Sequence, residues 1–328
     1  MWINAVSLTV LALLLAGPLS QALARALWPR RNPRTALLLW QAIGLAGGVA
    51  LLFTGLSLAE MGLPQHSLHA FTSIPAHLSA LNWIGWMGCI ITLFIAGWLL
   101  GVTARTGRAF AHTLRRNRQI LQLLGESIPW PSETAKSRRP LGRTLRSTLT
   151  QHQRTFSSKR AETVHILPFS IPSAYCIGGV RPKIVLTAAA LAALNTEQLS
   201  AIVAHEQAHA RYHHDLVIQP FVAWHRAFPF LNPSLEALTA VETLVELHAD
   251  DSARKKVGLS ALIAAIRSVQ HLQSEPSTIA LPSSNQEVTL RIQHLQDTTV
   301  PLNPFVQACI LLTALVVALL PILVLLAH

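Results

Sequence analysis

Four long apolar blocks constrain this chain more than anything else in it. They run from Met1 to about Leu27, from Ala36 to Leu58, from Trp83 to Val102 and from Phe305 to Ala327. Each is close to the ~20 residues that cross a hydrocarbon core, where lipid admits only helices and closed barrels. The reading is an α-helical membrane protein with four transmembrane helices, its polar residues gathered mostly between the third and the fourth. Composition agrees: of 328 residues 51% are hydrophobic and only 12% charged, against about 25% charged in soluble domains. Ala22-Leu23-Ala24 resembles a signal-peptide cleavage site, but no basic residue precedes Arg25, so the first block is read as an uncleaved anchor.

Lys and Arg set the expected orientation. Arg25, Arg30, Arg31 and Arg34 follow the first block; Glu60 and several histidines, around His66 to His77, separate the second from the third; Arg105, Arg108, Arg115, Arg116 and Arg118 follow the third. The positive-inside rule then places both termini outside and residues 103–304 in the cytoplasm of a multi-pass cell-membrane protein. The net charge of +11 is on this reading a topogenic signal. No direct nucleic-acid partner is expected, because no recognition motif or aromatic interleaving accompanies the charge. A transporter is a poor fit, since no span carries an acidic pair. The three cysteines, Cys89, Cys176 and Cys309, have no paired spacing for a disulfide framework or zinc knuckle.

Residues 103–160 read as a basic linker. Within it Ala109 to Leu124 is amphipathic and helical, while Pro129, Pro131 and Pro140 mark Ile128 to Leu141 as irregular. A short β region follows: Thr163 to Leu167, then Ala174 to Gly179 leading by a Gly-Gly turn into Pro182 to Thr187. Ile184, Val185 and Leu186 are candidates for an edge strand that takes up a substrate peptide by strand addition. A purely structural hairpin is the other reading, and the two are compatible. Beyond it Asn195 and Gln198 have capping-box spacing ahead of an apolar stripe at Leu199, Ile202 and Val203.

That helix carries His205-Glu206-Gln207-Ala208-His209, an H-E-x-x-H pattern. Positions i and i+4 share a helix face, so two imidazoles can meet one Zn2+ ion, with Glu206 beside them as general base. A catalytic zinc takes three protein ligands. The next expected helix, Leu235 to Lys256, is capped by Ser234 and offers Glu246, with Glu242 one turn earlier and His248 as rivals. Asp250, one turn after Glu246, is placed to hold a ligand histidine in its tautomer. His225, His248 and Arg291 are candidates for oxyanion or substrate contact. Leu259 to Gln273 and Val288 to Gln296 read as further amphipathic segments.

Taken in order, these features resemble the BlaR/MecR-type membrane metallopeptidases. The resemblance rests on three spans, then Ile177-Gly178-Gly179-Val180-Arg181-Pro182-Lys183-Ile184-Val185-Leu186, then His205 to His209, Phe228-Pro229-Phe230-Leu231-Asn232-Pro233, Glu246 to Asp250 and a last span. It implies a mainly α (α+β) gluzincin-type zinc metalloprotease domain over 161–304. His205, His209 and Glu246 would be its ligands, Glu206 its base, and a protein substrate such as a cytoplasmic transcriptional repressor its target. Arg291-Ile292 is similar to a pair near the end of HtpX-type and CAAX-type membrane proteases.

The pattern is departed from twice. Sensing members carry an extracellular penicillin-binding domain after the last span, where this sequence stops, so direct covalent antibiotic sensing is not expected. They also often carry an aspartate five residues after the second ligand histidine, where this chain has His214. An HtpX-like quality-control protease, or a zinc-binding membrane signalling protein without turnover, are the alternatives. A homodimer is left open.

Overall fold

A computed structural model describes residues 2–61, 81–130, 162–273, 283–297 and 302–326. The loop around His66 to His77 and residues 131–160 of the basic linker lie outside them. The described chain is mainly helical. Helices α1 (Trp2–Ala16), α2 (Pro18–Arg25), α3 (Trp28–Arg31), α4 (Pro33–Glu60) and α5 (Trp83–Leu124) come first. Strands β1 (Glu126–Trp130), β2 (Glu162–Leu167), β3 (Ala174–Ile177) and β4 (Lys183–Thr187) follow. Helices α6 (Ala188–Ala193), α7 (Thr196–Tyr212), α8 (His214–Ala227), α9 (Asn232–Val257), α10 (Leu259–Gln273), α11 (Ser283–Gln296) and α12 (Pro304–Leu326) complete it. The chain forms two compact units: 1–109 with 217–244 and 299–328, and 110–216 with 245–298.

The first unit holds the apolar helices. Among the described residues four segments are long and apolar enough to cross a bilayer: Trp2–Arg25, Pro33–Glu60, Trp83–Leu124 and Pro304–Leu326. The first is broken at Gly17-Pro18 into α1 and α2, because Pro18 has no N–H to return to the preceding turn. Helices α1 and α12 both pack on α4, with Leu8, Ala12 and Ala50 buried between them. A Cβ at Gly88 would collide with the backbone of Leu58 and Ala59, so the absent side chain is what lets α4 and α5 approach. Residues 217–244 join this unit through side chains of α4. Trp40 meets Phe221 edge to face at 6.1 Å, and the Gln41 amide donates to the Val217 carbonyl at 2.8 Å.

Helix α5 does not end where its apolar block ends. It runs for 42 residues, about 63 Å at 1.5 Å per residue and roughly twice a hydrocarbon core. No proline interrupts it, and it stops at Gly125. Strand β1 then takes Ile128, Pro129 and Trp130, part of the segment expected to be irregular. Among the described residues β1 pairs only with β2, and such an end strand accommodates a proline that a central one would not.

The second unit is built on a four-stranded sheet in the order β1-β2-β4-β3, with β2 and β4 parallel and both outer pairs antiparallel. Strand alternation sends Ile184 and Leu186 to one face and Val185 to the other. The first face packs on Leu199, Ile202 and Val203 of α7 and on Leu262, Ala265 and Ile266 of α10. Val185 packs with Leu167, Ile177 and Leu121, the last near the end of α5. β4 is paired on both sides. The Ile184, Val185 and Leu186 edge expected from sequence is therefore not an open edge; on that side of the sheet the end strand is β3.

Candidate active site

Helix α7 presents the H-E-x-x-H residues because its start is fixed. The Asn195 side chain accepts from Gln198 N–H at 2.9 Å, and the Gln198 side chain accepts from Asn195 N–H at 3.0 Å, a complete capping box. Leu199, Ala201, Ile202, Val203 and Ala204 are buried and hold the helix against the sheet and α10. With that face fixed, His205 and His209 fall on a second face turned toward α9. There Leu244, Val245, Leu247 and Ala249 are buried, and Glu246 points at the two imidazoles.

Ligand-type atoms of three residues converge. His205 Nε2 and His209 Nε2 are 3.1 Å apart. Glu246 Oε2 is 3.3 Å from the first and Oε1 3.4 Å from the second. Metal–ligand bonds of about 2.0–2.1 Å at tetrahedral angles place ligand atoms about 3.3–3.4 Å from one another. Taking one ligand atom from each, His205, His209 and Glu246 lie within 4.8 Å of one another and form a group able to hold a metal. Glu242 and His248, the rival third ligands, are not in that group.

A buried charged pair backs the triangle. His205 Nδ1 donates to Asp250 Oδ1 at 2.9 Å. Asp250 is fully buried and receives two bonds from Arg291, Nε to Oδ2 and Nη2 to Oδ1, both at 2.7 Å. Arg291 Nη1 also donates to Glu246 Oε2 at 3.1 Å. One guanidinium thus braces a candidate ligand and the carboxylate behind another. Burial and the Arg291 charge push the His205 ring toward neutrality, but its bonds to Asp250 and Glu246 outweigh them and lift its pKa to about 10. Burial disfavours ionised Glu246, yet the His205 bond and the charges on His205, Arg291 and His209 hold its carboxyl well below the usual range. His209 goes the other way, down to about 4, through burial and the neighbouring charge on His205.

Glu206 lies between the triangle and the sheet. Burial raises its carboxyl above the ordinary range and the Glu246 carboxylate adds to this. The charges on His205 and Arg291, and a bond accepted from the Cys176 backbone N–H of β3, pull it back.

His209 has a partner of its own. Its Nδ1 lies 3.3 Å from Nδ1 of buried His214, whose Nε2 lies 3.0 Å from Nδ1 of His248. Helix α7 ends on His213 in the left-handed region, φ +49, and this sharp exit carries the His214 ring back to His209. Burial, then the charges of His209 and His248, push His214 down to about 3, so its ring is neutral.

A family model described as BlaR1 peptidase M56 matches residues 67–253, more than half of the chain. The chain belongs to the BlaR1 peptidase M56 family. As a member it is a membrane-associated metallopeptidase acting on a protein substrate. No curated protein and no solved structure matches it.

Within this M56 peptidase the matched stretch contains the triangle, Glu206 and Asp250 but stops before Arg291, whose place is defined by geometry alone. Arg291 spends its donors on Asp250 and Glu246. His248 joins His214 rather than the triangle. His225 lies in the first unit, where its Nδ1 meets the Ser234 hydroxyl at 3.0 Å. Three partners of the site carried no sequence assignment. His214 was conspicuous only as a departure from the family pattern. Cys176 contributes a backbone N–H, which no side-chain motif announces. Glu287, one turn before Arg291 on α11, is raised by burial and by the Glu246 carboxylate, and it lies in a polar segment that reads as surface.

Proposed function

We propose that this chain is a zinc endopeptidase of gluzincin type whose ligands are His205, His209 and Glu246. The single observation that carries the reading is the convergence of their ligand atoms, one from each residue within 4.8 Å of the others, in a member of a metallopeptidase family. Zinc held there would act as a Lewis acid on the scissile carbonyl and bring the pKa of a water down to about 7.

The remaining work falls to the chain. Glu206 accepts the proton of the attacking water and returns it to the leaving amine. Asp250 keeps His205 in the tautomer whose Nε2 lone pair faces the ion, and Arg291 keeps Asp250 ionised. The substrate lies along β3. That strand ends the sheet, and its Cys176 N–H already points at Glu206. Backbone pairing there recognises an extended segment whatever its side chains.

The proposed arrangement in the membrane has residues 1–102 as three spans, 103–160 as a basic cytoplasmic segment, 161–304 as the catalytic domain and 305–328 as the fourth span. Both termini lie outside. Cytoplasmic exposure of the site makes a regulatory protein, of repressor type, the proposed substrate. Glu206→Gln is expected to bind zinc as the wild type does and to lose cleavage of a casein or peptide-library substrate. Full cleavage by that variant would remove Glu206 from the role of base. One dominant product from a proteome-derived peptide mixture fits a regulatory protease, whereas broad degradation would favour quality control.

A further inference from the structure

The two candidate ligand histidines are held in different ways. His205 gives its Nδ1–H to a carboxylate clamped by an arginine. His209 faces another imidazole, and that imidazole faces a third. Nitrogen-to-nitrogen contacts demand that one side donate and the other accept, and a neutral ring has one of each.

We propose that His214 and His248 are positioning residues that set the metal-facing nitrogen of His209 through this two-ring relay, an inference that rests on the proposed ligand role of His209. The proton assignment is then fixed from one end. With its Nε2 lone pair turned to the ion, His209 carries its proton on Nδ1 and donates to His214 Nδ1. His214 carries its proton on Nε2 and donates to His248 Nδ1. His248 therefore carries its proton on Nε2. Packing keeps the rings in place: Tyr212 stacks on His214 at 5.7 Å and 20° and lies against His248 at 4.5 Å. Without an ion the same contacts also accept the reverse assignment, which turns an N–H of His209 toward the triangle. The relay therefore has two proton arrangements, and only one of them binds metal. A ring held by Asp250 has no such choice, because a carboxylate only accepts.

The test reads zinc affinity of the detergent-solubilised full chain by chelator competition, with the visible spectrum of the Co2+-loaded protein as a second readout. Asparagine places an amide oxygen where His214 has Nδ1, so His214→Asn keeps the acceptor for His209 and is expected within a few-fold of wild type. Glutamine places its amide near the Nε2 position. His214→Gln and His214→Leu therefore lose that acceptor and are expected to bind zinc about 10–100-fold more weakly, with an altered Co2+ band. His248→Leu is expected to weaken binding in the wild-type background and to change nothing in the His214→Asn background, where the relay is already cut. Should the variants at 214 fail to fold, His248→Leu, which leaves His214 in place, carries the test. Wild-type affinity in His214→Leu and His248→Leu, both folded, overturns the relay alone. A wild type that binds no zinc, or His205→Ala binding as tightly as wild type, removes the ligand reading and the relay with it.

Discussion

Replacing Arg291 by methionine removes the guanidinium and leaves its volume roughly filled. Asp250 is 0% exposed and would keep one of its three bonds, the one from His205, while Glu246 would lose its bond at 3.1 Å. Breaking a buried pair by removing one partner costs about 3–5 kcal/mol, because the remaining charge stays buried. At roughly 2–4 °C per kcal/mol for a domain of 150–250 residues, the melting transition of the second unit should fall by roughly 6–20 °C. The assay is a thermal melt of the detergent-solubilised, metal-free protein, followed by tryptophan fluorescence. The double variant Arg291→Met/Asp250→Leu removes both charges and should recover most of the loss, while zinc affinity stays low because His205 has lost its acceptor. A melt unchanged by Arg291→Met, or a double variant less stable than the single one, would refute the reasoning.

Three further outcomes are expected. The metal-free His205 ring has its pKa raised to about 10 by Asp250 and Glu246, so an incoming ion must displace its proton; zinc affinity should rise about tenfold per pH unit between 6 and 9, and calorimetry in buffers of different ionisation enthalpy should report about one proton released. Asn195→Ala removes one half of the capping box and should cost about 1 kcal/mol in a denaturant melt, without changing zinc affinity. Cys176→Pro deletes the N–H that lowers Glu206, so the Glu206 carboxyl should move further up and the acid limb of the kcat/KM profile should shift to higher pH; an unmoved limb would separate Glu206 from that strand.

The sequence was most informative where the physics is local. A block near 20 apolar residues reads as a span without any partner, and Asn195 with Gln198 announces a helix start from two side chains three residues apart. Spacing on one helix likewise put His205 and His209 together. The reach of α5 to Leu124 is legible afterwards in the lack of any proline between Trp83 and Gly125, but the drop in hydropathy at Val102 masked it. Strand order was beyond local reading. β3 and β4 are each visible as short β-rich runs, yet which one ends the sheet depends on β2 pairing with β4 across an intervening strand. β1 was hidden for the same reason, since its partner lies beyond residue 161. The His214 contact depends on a left-handed turn at His213, a non-glycine residue for which no sequence signal argues.

The triangle also has a topological meaning. His209 and Glu246 enclose a loop of roughly 37 residues, and closing a loop of that size restricts the unfolded chain by about 4 kcal/mol in the entropy model used for disulfides. Cys89, Cys176 and Cys309 are all unpaired thiols, so among the described residues no disulfide performs that task. An ion at the triangle would therefore be a reversible cross-link as well as a reagent. Stripping it with a chelator would remove that cross-link.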